Sequence, residues 1–205
     1  MPSIYRHLGP SELLPRYIFA ENLYQRRRVL ELNSVAATNG QSAQFLVSRG
    51  AKSVVAADAD VQAVTEAQKT YSDASLRFRS DSLDDLESAS FDLILASDLS
   101  IYLKSPQALQ EILRLLAKDG TLLGGLRNPS GLALANLLET DASTSWPTYG
   151  QLMDALTPHF KCIEVATQSP LLGYQLAFER SEGLQVDGTL SGATEAAYYV
   201  ALASA

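Results

Sequence analysis

The chain has 205 residues, of which 46% are hydrophobic and 19% charged; this is the make-up of one ordinary globular domain with enough apolar material for a sizeable core. Its net charge of -7 excludes a broad basic surface for nucleic acid. With one cysteine, Cys162, and two histidines, His7 and His159, it has neither an intrachain disulfide nor a Cys/His metal cluster.

The N-terminal MPSIYRHLGP lacks a basic stretch followed by an apolar one, so no signal peptide is expected. Residues 11–27 follow, with Tyr17, Ile18, Leu23 and Tyr24 at helical spacing. They predict a helix that packs beside the core, and residues 1–28 read as a helical segment leading into a single domain over 1–205. Arg26, Arg27 and Arg28 are the only basic run and read as a solvated helix end before a strand. RVLEL is that strand. A helix over 41–48 stops at Gly50, and KSVVAAD (52–58) is an apolar strand ending in an acid. VQAVTEAQKTYS is an amphipathic helix. SLRFRSD (75–81) and SFDLILASD (90–98) are strands, each again with an acid at its end. A helix over 106–120 stopped by Gly120 leads to the strand 120–126.

Strand and helix alternate, which predicts an α/β fold: a three-layer Rossmann-like sandwich with a mostly parallel sheet. The tail differs. A helix over 149–160 precedes CIEVATQ and LGYQLAFER, both extended, and a Gly-rich loop leads to AAYYVALAS. Strands joined without a helix predict an antiparallel pair at one edge. No apolar run is long enough to span a bilayer, so no membrane span is expected and a cytoplasmic setting is the default. Cys162 reads as a small buried residue, and His159 as a helix-end histidine.

In an open parallel sheet, ligands bind at the carboxyl ends of the strands, where strand order reverses. Four strands carry an acid at or near that edge: Glu31, Asp58, Asp81 and Asp98. Such acids also cap the following helices. Four at one edge suit a nucleoside, whose hydroxyls and exocyclic amine donate strong hydrogen bonds to carboxylates.

Here RYIFAENLYQRRRVLEL, GAKSVVAADAD, RFRSDSLDDLESASFDLILASDLSIYL and LRLLAKDGTLLGG resemble the class I S-adenosylmethionine (SAM) dependent methyltransferases. The likeness runs from about residue 16 to residue 127, and the antiparallel tail agrees with the reversed last strand of that family's seven-stranded sheet. The resemblance implies SAM as cofactor. It implies that Asp58 takes the ribose hydroxyls, that Asp81, with Ser82 and Leu83 beside it, meets the adenine, and that Asp98 stands near the methionine end and the acceptor. Glu31 matches the acid of the first strand. Tyr102 and Tyr24 read either as acceptor-facing residues or as core and rim aromatics. Asn128-Pro129 resembles part of the Asn-Pro-Pro motif of amine methyltransferases, but follows the fifth strand and lacks the second proline. No catalytic residue stands out, and no metal site is expected.

The chain departs from the family after Glu31, where the pattern is Gly-x-Gly-x-Gly. If Gly40 is the last of these, the others are Ala36 and Thr38; if the turn starts at Asn33, the three are Asn33, Val35 and Ala37. A Val or Thr there would point into the pocket or widen the turn, whereas Asn33 or Asn39 can take a left-handed conformation in place of glycine. Two main readings follow. In one, a SAM-dependent methyltransferase acts on a small-molecule or glycan-like acceptor, with Glu31, Asn33, Gly40, Asp58, Asp81, Ser82 and Asp98 at the cofactor. In the other, a pseudo-methyltransferase has lost SAM and binds a protein partner as a scaffold. A nicotinamide dinucleotide is a weaker third, because the Gly-x-Gly-x-x-Gly turn it needs is missing.

Overall fold

A computed structural model describes residues 10–80, 82–130, 146–169 and 198–204. The chain enters through helices α1 (Pro10–Phe19) and α2 (Glu21–Tyr24). There follow β1 (Arg28–Leu32), α3 (Val35–Thr38), α4 (Gln41–Ser48), β2 (Ser53–Ala57), α5 (Val61–Thr70), β3 (Leu76–Arg79) and β4 (Phe91–Ala96). The second half holds α6 (Ser100–Leu103), α7 (Pro106–Leu115), β5 (Leu116–Arg127), α8 (Tyr149–Leu156), β6 (Cys162–Gln168) and β7 (Tyr198–Ser204).

The strands form one seven-stranded sheet in the order β3-β2-β1-β4-β5-β7-β6. The first five run parallel, and β7 lies antiparallel to both β5 and β6. This is the expected α/β sandwich with its reversed tail. Strand order reverses between β1 and β4, so a crevice opens there at the carboxyl ends. Strand alternation sends Val29 to one core, with Tyr17, Leu46, Val54, Val64 and Phe78. It sends Leu30 and Leu32 to the other, with Ile94, Ile112, Leu122, Leu152 and Leu156. Helices α1, α4 and α5 therefore cover one face of the sheet, and α6, α7 and α8 the other. Local signals agree with the helix starts. Asp60 caps α5 by accepting from Ala63 N, Ser105 caps α7 with Pro106 in its first turn, and Thr148 and Gln151 form a capping box on α8.

Several expectations need correction. The helix expected over 106–120 ends at Leu115, because Leu116 is already extended and pairs with Phe91 of β4. The register then shifts, so that Leu93 faces Thr121; Gly120 belongs to this irregular strand start and does not stop the helix. Long-range pairing overrides the local helical pattern. The helix expected over 149–160 likewise ends at Leu156. Ile18 is 54% exposed, since the phase of α1 turns Leu13 and Tyr17 inward. Cys162 is exposed at the start of the edge strand β6. Arg28 belongs to β1 and pairs with Asp92 of β4 at 2.6 Å. LGYQLAFER, His7 and Asp81 lie outside the described residues. Among the described residues, no helix is long and apolar enough to cross a membrane, and no group of His, Cys, Asp or Glu could hold a metal ion.

Candidate functional site at the carboxyl ends of the strands

The turn after β1 starts at Asn33, whose φ of 58° is left-handed. Asn33 tolerates the conformation because its short amide side chain can bond locally, and its backbone N–H, its carbonyl and its amide nitrogen are all engaged. Its N–H donates to Ala57 O at 2.8 Å, and its carbonyl accepts from Ser97 Oγ at 2.6 Å. Its Nδ2 donates to Tyr102 Oη at 2.7 Å. One residue thus ties the ends of β1, β2 and β4 to α6.

After Ser34 the chain turns at once into α3. Val35 is fully buried in the core beneath the turn, and Thr38, also buried, donates to Ser34 O at 2.8 Å. Both side chains point inward, away from the crevice. Asn39 (φ 51°) and Gly40 (φ 75°) are both left-handed and separate α3 from α4. A Cβ on Gly40 would stand 2.9 Å from Ala67 Cβ and 3.0 Å from the Phe78 ring. Gly40 therefore serves the close approach of this turn to α5 and β3.

Asp58, half-buried at the end of β2, accepts from Ala36 N at 3.0 Å and from Asp60 N at 3.1 Å. A carboxylate has about four acceptor positions, so capacity remains on it. Glu31 is fully enclosed and accepts from Tyr17 Oη at 2.6 Å. Burial raises its pKa, against the hydroxyls of Ser42, Tyr17 and Ser34, which lower it. Burial beside Glu31 also lifts Tyr17 well above the usual phenol. Asp98, beyond the end of β4, accepts from Ser100 N at 2.9 Å and faces Arg127 Nε at 3.6 Å. Ser82 is exposed, and its Oγ accepts from Asp84 N at 3.2 Å.

Tyr102, in α6, stands between the two acids. Burial raises its pKa most, the Asn33 bond lowers it, and the charges of Asp58 and Asp98 raise it further; it stays a neutral phenol. Across the crevice, in sheet order, the side chains are thus Asp58, Asn33, Tyr102, Asp98 and Arg127. Sequence reasoning found the acids and Asn33 but missed Arg127. Its only signal was a basic residue at the end of a predicted strand. Tyr24 is fully buried, a core aromatic, and His159 is exposed past the end of α8.

Residues 34–124 match the family model of a methyltransferase domain, a stretch that begins just after Asn33, holds Asp58 and Asp98, and ends within β5. The chain has the class I methyltransferase fold. It is similar to a SAM-dependent methyltransferase from Archaeoglobus fulgidus, at 14% identity and a TM-score of 0.66, covering 96% of this chain and 95% of that one. A SAM-dependent methyltransferase from Mesorhizobium loti aligns at 15% identity and a TM-score of 0.64, covering 93% and 96%. A third match is the partner of a methyltransferase activator in their complex from Haloferax volcanii. It aligns at 15% identity and a TM-score of 0.61, covering 94% and 88%. No curated protein sequence matches the chain. The methyltransferase fold is thus shared over nearly the whole chain at low identity.

Proposed function

We propose that this chain is a SAM-dependent methyltransferase acting on a small-molecule acceptor. The observation that carries the reading is Asp58. It is a half-buried carboxylate with spare acceptor positions, at the end of β2 and beside the reversal of strand order. Ribose hydroxyls are donors that fit it, and the inward turn of Val35 and Thr38 leaves the rim of the turn to backbone and Asn33. Asp58 would hold the ribose, with Ser82 and Asp81 toward the base. Asn33 and Asp98 would flank the methionine end, while Glu31 and Gly40 support the turn from behind. When bound, SAM supplies a methyl already activated on a sulfonium, so the protein's part is mainly to position the acceptor in line.

Calorimetric titration with SAM and S-adenosylhomocysteine tests this. Micromolar binding is expected, weakened about tenfold or more in Asp58→Ala, since a hydrogen bond to a charged group contributes roughly 1.5–3 kcal/mol. Absence of heat from folded protein would overturn it. A second reading, a scaffold that no longer binds SAM, is favoured by the Ala36 N–H on Asp58 and by the Asn33–Tyr102 bond across the crevice. The likeness to a protein held in complex with a methyltransferase activator supports a protein partner for that reading. The same titration separates the two.

A further inference from the structure

Beyond Asp98, the end of β5 presents a guanidinium whose Nε is left without a hydrogen bond among the described residues. This is Arg127, which exposes only 12% of its side chain. The nearest carboxylate oxygen among the described residues, Asp98 Oδ2, is 3.6 Å away, outside hydrogen-bond range. The other oxygen of Asp98 is taken by Ser100 N. Trp146 lies against the guanidinium, 5.2 Å from its carbon to the ring centroid. The exposed Lys104 brings its Nζ to 5.8 Å from the same ring.

Among the described residues, two cations thus meet one indole with one carboxylate beside them, in a chain whose net charge is -7. A half-satisfied guanidinium out of water is unfavourable unless its donors find an acceptor. Its planar fork fits a carboxylate at two points, and the indole provides a flat apolar wall beside it. Place matters as much as chemistry. Arg127 and Asp98 end β5 and β4, on the far side of Tyr102 from Asp58, where an acceptor would meet the methyl end of SAM.

We propose that Arg127, Lys104 and Trp146 form the acceptor subsite, and that the acceptor carries a carboxylate on a flat apolar body. The role as acceptor subsite rests on the methyl-transfer reading above; the anion site itself rests on the geometry of these residues. Arg127 and Lys104 hold the carboxylate, Trp146 lies along the apolar body, and Asp98 keeps the guanidinium in place from the other side.

Trp146 is the only tryptophan of the chain, so its emission reports on the subsite directly. The full chain is titrated at constant ionic strength in chloride with benzoate, with benzamide as its neutral isostere, and with inorganic phosphate. A saturable change is expected with benzoate, and binding weaker by about tenfold or more with benzamide and phosphate. Arg127→Met lowers benzoate affinity about tenfold or more. Lys104→Met, on an exposed side chain, lowers it roughly two- to fivefold. Benzamide or phosphate binding as tightly as benzoate overturns the proposal. So does benzoate affinity unchanged in both variants, or no benzoate response from the wild type. Calorimetry with SAM on the same preparation keeps the two readings apart. A benzoate response without SAM binding leaves the anion site and removes methyl transfer, and SAM binding without a benzoate response does the reverse.

Discussion

Glu31 shows at the scale of one residue how an acid can be read correctly in place and differently in use. It stands one residue before the end of β1, as a cofactor-binding acid would, yet it is fully buried beneath α1 with Tyr17 Oη on it. Strand alternation explains this: Val29 and Glu31 face α1, and Leu30 and Leu32 the opposite core. Its raised pKa has a consequence for stability. The folded state holds the proton of Glu31 more tightly than the unfolded chain does. Its contribution is therefore fully present below the ordinary carboxylate range and is lost as pH rises through the raised value. Glu31→Gln keeps an acceptor for Tyr17 and cannot ionise. Measured by urea unfolding, the wild type should lose stability relative to this variant as pH rises across that interval. A difference that stays flat with pH would contradict it.

Among the elements, the α3–α4 junction is the most informative. A single helix with a glycine-rich approach would be the simplest way to leave β1. Here Asn33 takes the left-handed position, a one-turn α3 follows, and Asn39 and Gly40 break the helix before α4. Gly40 is held by both its φ of 75° and its approach to Ala67 and Phe78. Gly40→Ala should therefore destabilise the fold by about 1–3 kcal/mol, through strain at positive φ and overpacking. A shift of the urea midpoint within error of zero would show that the junction yields. The strands and most helices were legible because each carries its own period, to which Asp60 before α5 and Ser105 before α7 add a capping side chain. The early end of α7 was not legible, because Leu116 is drawn into β5 by Phe91, which lies 25 positions earlier in the chain.

Over the whole molecule, α1 ties the two halves of the sheet together. Tyr17 reaches Glu31 of β1, and Arg16 Nη1 donates to Ser97 O past the end of β4 at 2.7 Å. Arg16 Nε donates to Gln168 Oε1 of β6 at 2.8 Å, and Gln168 Nε2 donates to Glu12 O at 2.8 Å. Gly125 of β5 makes room for this arm, since a Cβ there would stand 2.1 Å from Arg16 Nη1. Burial lowers the pKa of Arg16, and the hydroxyl groups of Tyr198 and Tyr17 and the charge of Asp98 act the other way. Arg16→Met keeps the apolar stem and removes the donors. It should cost about 2–3 kcal/mol, because Ser97 O and Gln168 Oε1 lose their donors. Faster amide exchange in α1 and at Ser97 should accompany the loss. Exchange unchanged at Ser97 would mean that α1 does not support the end of β4.

By itself, the sequence determined the alternation of strands and helices, the reversed tail, the acids at the strand ends and the residue able to stand in for a glycine at Asn33. All of these are set by local periodicity and by the conformations that each residue type allows. Only the tertiary structure decided which of those acids faces the crevice and which is sealed under a helix. It also decided that Val35 and Thr38 turn inward, and that Arg127, Lys104 and Trp146 meet at one end of the sheet. The reason is physical: burial and meeting depend on which strands become neighbours, and the order β1-β4-β5 joins segments that lie far apart along the chain.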